Sequence, residues 1–166
     1  DFDVALWAGP IDRDAMTVRT ITQLRSVVCA APEYLAHHPT PQCPRDLLEH
    51  PCVSYSYSEQ ATSWTFARDG ESESVEVSGP IEVNNGEALA EIVRSGAGVG
   101  RLPTFVAGPH LASGRLVPLL PEYTMPTKSL RLVFADRVYV PQKVRAFVDF
   151  VVAELGGTTP PWDADW

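Results

Sequence analysis

What this chain of 166 residues lacks narrows its function before any motif is read. It has only three cysteines, Cys29, Cys43 and Cys52, with no Cys-x-x-Cys spacing and an odd one left over. That count supports neither a disulfide framework nor a cysteine-built metal site, and it fits a reducing cytosol. No apolar run reaches the roughly 18 residues that a membrane-spanning helix needs, so no membrane partner is expected. The opening Asp1-Phe2-Asp3 has neither the basic start nor the apolar stretch of a secretory leader. Positive charge is scarce as well: 13 Lys and Arg stand against 21 Asp and Glu, a net charge of −8, and no three basic residues adjoin. A surface that grips nucleic acid needs clustered cations to neutralise phosphates, so these residues are not expected to bind DNA or RNA directly.

What is present is ordinary globular material. The chain is 45% hydrophobic and 20% charged, enough to bury a core in one domain or two small lobes. Val4-Ala5-Leu6-Trp7 reads as a buried strand that begins without a lead-in, as in a fragment whose neighbouring strands are missing. Residues 11–23 alternate charges and hydroxyls and read as a crossing segment. Val27 to Ala30 is a compact strand followed at once by a helix start at Pro32, then a proline-punctuated loop, a short helix from Arg45 to His50 and a strand from Cys52 to Tyr55. Trp64 and Phe66 alternate with polar residues, Asp69-Gly70 tolerates positive φ, and Val75 and Val77 alternate on the return, which is a hairpin. Asn84 as N-cap with Glu87 three residues on resembles a capping box for a helix with apolar Ala88, Leu89, Ile92 and Val93. A strand at 99–102 leads through Pro103 into a helix to about Leu111. The last helix carries the stripe Val144, Phe147, Val148, Val151, Val152 and Leu155 between Pro141 and Gly156. Residues 158–166 read as a loose tail. Alternating strands and helices predict an α/β fold with parallel pairing.

The glycines of Gly96-Ala97-Gly98-Val99-Gly100 invite a nucleotide-binding reading, but a dinucleotide fingerprint needs them between a strand and the helix after it. Here they follow a helix and enter a strand, so a helix stop and a tight turn explain them, and no cofactor is expected. His37, His38, His50 and His110 lack metal-ligand spacing, and no metal site is assigned. No Gly-x-Ser-x-Gly or Ser-x-x-Lys signature occurs, so no catalytic residue is assigned and an enzyme is not expected. The strand-to-helix turns are better candidates, because helix N-termini present free N–H groups to ligands. Ala30-Ala31-Pro32, Asn84-Asn85-Gly86 and Pro103-Thr104-Phe105 are three such turns.

Eight segments in order strengthen this reading. They are Asp3–Leu6, Val28–Leu35, Pro44–Cys52, Trp64–Phe66, Asn84–Leu89, Gly96–Pro103, Gly114–Leu120 and Lys143–Phe150. Together they resemble the effector-binding domain of LysR-type transcriptional regulators over residues 1 to about 155. The resemblance implies a type 2 periplasmic-binding-protein-like α/β fold, in which two Rossmann-like subdomains are joined by two crossover strands and a small-molecule effector sits between them. Residues 1–19 would end the first subdomain and form the first crossover, 20–105 the second subdomain, 106–157 the second crossover and return, and 158–166 a tail. The first subdomain would be incomplete. DNA contact would belong to an N-terminal helix-turn-helix absent from this chain, and the expected assembly is a cytoplasmic homodimer or homotetramer. Effector contacts carried over by position are Trp7, Ala31, Asn84, Asn85, Gly86, Pro103, Thr104 and Phe105. Trp7 stands where relatives often have a basic residue, and Ala31 where many have serine. The alternative reading is a stand-alone solute-binding protein of a transport system.

Overall fold

The computed structural model describes residues 3–9, 16–56, 61–135, 140–157 and 159–164. Its strands in chain order are β1 (Val4–Trp7), β2 (Met16–Leu24), β3 (Ser26–Ala30), β4 (Cys52–Tyr55), β5 (Ser63–Arg68), β6 (Glu71–Glu76), β7 (Glu82–Val83), β8 (Val99–Pro103), β9 (Val117–Leu119) and β10 (Lys128–Ala135). The helices are α1 (Pro32–Leu35), α2 (Gly86–Arg94), α3 (Thr104–Ala112) and α4 (Gln142–Leu155), with 3-10 turns at Pro44–Glu49 and Pro161–Asp163. The described residues divide into two compact units: those within 1–24 and 127–164, and those within 25–126. The passages therefore fall at Leu24/Arg25 and Pro126/Thr127. The expected break after residue 105 lies inside α3 instead.

In the first unit a three-stranded antiparallel sheet runs in the order β1-β10-β2. Val144, Val148 and Val151 of α4 pack with Ile21 and Leu132 in its core. One expectation is refined here and another fails. Residues 16–24, which overlap the expected crossing segment 11–23, form a nine-residue strand. β1 is a strand but not a buried one: Leu6 is 48% exposed and Trp7 49%. The α4 stripe is also narrower than the sequence pattern, since Phe147 is exposed. Of the expected loose tail, Pro160 and Asp163 are buried around the terminal 3-10 turn.

In the second unit the sheet order is β7-β4-β8-β3-β9. β4 pairs in parallel with β7 and β8, whereas β3 runs antiparallel to both β8 and β9. The expected parallel pairing is found for β4 with β7 and β8, and β3 makes the sheet a mixed one. Side chains alternate across β3, so Val27 and Cys29 join the core under α2 and α3 while Val28 and Ala30 face the other way, towards Tyr34, Leu47, Trp64 and Phe66. Both faces are covered, which is why this strand is continuously apolar. Cys29 is fully buried and its thiol is pushed up to about 12 by desolvation, so it packs as a small hydrophobe. The hairpin forms as the sequence predicts: β5 and β6 are joined by Asp69 and Gly70 at φ of 54° and 84°, the paired positive φ values of a type I′ turn.

The glycine cluster closes the packing. A Cβ on Gly100 would stand 2.4 Å from Val93 Cγ2, so the missing side chain is what lets α2 lie against β8. Gly98 sits at φ +152°, where a Cβ would fall 2.1 Å from the Pro51 carbonyl oxygen. By contrast Gly114, at φ +69°, has open space around the missing methyl. Gly114→Ala should therefore cost only the left-handed backbone penalty, about 1 kcal/mol, and Gly98→Ala about 3 kcal/mol or more, because backbone must also move. Urea unfolding of the two variants measures the difference, and equal losses would contradict the close contact.

Candidate functional site

Because β4, β7 and β8 run in parallel, their C-terminal ends share one edge of the second unit's sheet. β3, running the other way, begins at that edge: Ser26 lies opposite Pro103 and Ala30 opposite Val99. Both longer helices of this unit start there. α2 follows β7 after Asn84 and Asn85, and α3 follows β8 directly. The two starts adjoin, since a methyl on Gly86 would touch Val106 Cγ2 at 3.6 Å. Helix starts carry N–H groups without intrahelical partners and the positive ends of their dipoles; here the Thr104 N–H donates to the Arg25 carbonyl and the Ala88 N–H to the Asn85 side chain. Such an edge attracts an anion.

Five of the six expected residues at this edge have separable roles. Asn85, rather than Asn84, is the N-cap: its Oδ1 accepts from the Ala88 N–H at 2.9 Å. That side chain is engaged in holding the helix, while Asn84 is exposed. Pro103 precedes α3 in extended conformation and gives it no side-chain cap, and the first turn of α3 carries no acid. Thr104 is 1% exposed; its N–H donates to the Arg25 carbonyl at 2.9 Å, but its hydroxyl has no hydrogen-bond partner among the described residues. A buried unpaired hydroxyl costs roughly 1–3 kcal/mol, which a polar ligand atom would offset. Phe105 is 46% exposed, so its ring is not core. Gly86, the sixth, opens α2 beside Val106 of α3, with room for a methyl at ordinary contact distance.

The remaining two candidates lie elsewhere. Ala31 follows the end of β3 and is buried, so the antiparallel direction of that strand places it at the opposite end of the sheet. Trp7 belongs to the first unit, opposite Arg131 in β10, and its indole lies against Gly9, whose carbonyl accepts from Arg131 Nη1 at 3.1 Å. Arg101 is not among the candidates that the sequence singles out. This half-buried residue of β8 lies two positions before Pro103 and holds its guanidinium 5.7 Å from the Trp64 ring centre. Burial holds that guanidinium below its usual pKa. A cation inside the apolar run Val99–Pro103 was the signal available for it. Among the described residues no three His, Cys, Asp or Glu side chains gather as a metal site, and no helix is long and apolar enough to cross a membrane.

The family model for the LysR substrate binding domain matches residues 1–156. The chain belongs to the LysR substrate-binding domain family. Its relatives include the probable HTH-type transcriptional regulator LtrA of Klebsiella pneumoniae, 32% identical over 96% of this chain and 54% of that protein. The HTH-type regulator CrgA of Neisseria meningitidis serogroup C (strain 8013) is 34% identical over 93% of this chain and 52% of its own length. The solved CrgA regulatory domain from Neisseria meningitidis superposes with a TM-score of 0.82 at 34% identity, covering 93% of this chain and 76% of that one. The regulatory domain of AphB from Vibrio vulnificus gives 0.77 at 25% identity, over 92% and 75%. The fold is therefore the type 2 periplasmic-binding-protein-like α/β fold of these regulatory domains. The chain spans about half the length of the curated relatives it matches. Those relatives are named as transcriptional regulators, not as enzymes.

The two asparagines of this LysR-family domain separate by stability. Asn85→Ala should cost about 1 kcal/mol through loss of the α2 cap. Asn84→Ala should stay within about 0.5 kcal/mol, as expected of an exposed side chain without such a feature. Equal losses in urea unfolding would contradict the cap assignment.

Proposed function

We propose that this domain is the ligand-sensing part of a LysR-type transcription regulator and that its effector docks at the shared edge formed by Asn84, Asn85, Gly86, Pro103, Thr104 and Phe105. The observation that carries the reading is the adjacency of two helix N-termini beside an exposed aromatic ring. That pairing suits a small organic acid: the N–H groups of α2 and α3 receive the carboxylate, and Phe105 covers the apolar body. The Thr104 hydroxyl supplies one further polar contact. Trp7 is retained on the family resemblance alone, and Ala31 is left out because its strand points away. No cofactor, metal or chemical step is part of this reading.

In the intact protein an effector acts only through a difference in affinity between two arrangements. DNA contact is assigned to a helix-turn-helix outside this chain, in a cytoplasmic homodimer or homotetramer. A stand-alone solute carrier is the less supported reading, because the relatives are named regulators.

A thermal-shift screen of small aromatic and aliphatic carboxylic acids tests the proposal, since a ligand that binds only the folded form raises its melting point. Phe105→Ala should weaken the acid found by about three- to tenfold, the worth of one aromatic contact, while leaving the unliganded melting point nearly unchanged. Unaltered affinity would remove Phe105 from the site.

A further inference from the structure

The far end of the same sheet carries a cluster that effector binding does not use. Residues 36–51 lead from α1 to β4, with Pro39, Pro41 and Pro44 along the way. This segment is fastened at both ends to one phenol. The His38 ring lies flat on buried Tyr34, with centroids 4.1 Å apart and planes within 9°, and its Nδ1–H donates to the Tyr34 carbonyl at 2.9 Å. Tyr34 Oη stands 2.7 Å from Nδ1 of His50, a side chain only 5% exposed. The two imidazole centres are 6.5 Å apart.

We infer that Tyr34, His38 and His50 form an acid-released latch on residues 36–51, a pH-responsive element separate from the effector edge. With His50 neutral and its proton on Nε2, the phenol donates to Nδ1. Protonation puts a hydrogen on that nitrogen, the phenol has to turn and accept, and a full positive charge comes to lie in a desolvated place beside a second imidazole. The groups facing His50 come from every neighbouring element. They are Tyr34 of α1, His38 of the following turn, Cys52 of β4, and Asp46 and Glu49 of the 3-10 turn. β6 packs on that turn with Glu73, which lies 3.5 Å from Arg45. Cys52 stays a neutral thiol, since burial pushes it up to about 12. Asp46 and Glu49 favour the charged ring, but burial first and His38 second outweigh them, so His50 titrates below the ordinary imidazole range.

The sign follows from linkage. Above about pH 6.5 the ring is neutral whether the segment is closed or open, and the latch is at full strength. As pH falls below that value the open form takes up the proton first, and the closed form loses ground until its own lower pKa is passed. Asp46 accepts from the N–H groups of Gln42 and Cys43 at 2.7 and 3.0 Å, which holds its carboxyl below the usual range and keeps it charged throughout this window.

Hydrogen exchange of the 166-residue chain at pH 7.5 and 5.5, corrected for intrinsic rates, tests the latch. Protection of residues 36–51 should fall at the lower pH, by at most about tenfold, the ceiling for one group with an open-form pKa near 6.5, while β8 and α2 hold theirs. In His50→Gln, whose amide oxygen accepts from the phenol without titrating, protection should be the same at both values. In His38→Gln, which removes the imidazole facing His50, the acid loss should shrink. Unchanged protection of the wild-type segment at pH 5.5, a uniform loss across the whole unit, or an undiminished acid loss in both variants would overturn it.

Discussion

The antiparallel contact of β3 with β8 is the constraint on which the site depends. Ser26 faces Pro103 and Ala30 faces Val99, so the chain enters the second unit beside the C-terminal end of β8 and moves away from it along β3. This one direction gives the sheet two unlike ends. At one, the starts of α2 and α3 adjoin next to Phe105. At the other, Tyr34, His38 and His50 bind the proline-rich segment that returns the chain to β4. Had β3 run parallel to β8, Ala31 and the start of α1 would have joined the first group.

That contact is held by burial on both faces and by tight approach. Val27 and Cys29 pack under α2 and α3, Val28 and Ala30 under Trp64 and Phe66. The absent side chain of Gly100 admits Val93, and the backbone of Gly98 admits the Pro51 carbonyl. A glycine-rich stretch that superficially suggests nucleotide binding is thus a packing device that lets α2 lie against β8.

Much of this was legible in the sequence because it is local. Asp69-Gly70 fixes a hairpin through its own φ values, Val144, Val148 and Val151 repeat at helical spacing, and the ordered segments from Asp3 to Phe150 carry the family pattern. Strand direction is not local, since apolar periodicity is identical for a strand read either way, and so Ala31 was grouped with residues at the opposite end. Asn84 and Asn85 are equally good caps by composition, and only the 2.9 Å bond to the Ala88 N–H distinguishes them. Phe105 and Phe147 look like core by residue type, yet both are exposed, because exposure depends on what packs over a helix face. Residues 16–24 are hard to read as a strand because the polar pairs Arg19-Thr20 and Thr22-Gln23 break the period of two.

The most direct measurement is amide chemical-shift mapping of the isotope-labelled chain during titration with a carboxylic acid that stabilises it. If the paired helix starts are the effector seat, the largest shifts fall on Gly86, Glu87, Thr104 and Phe105, with Ala31 and its neighbours silent. Shifts centred on Ala31 and α1, or confined to the hairpin, would contradict it.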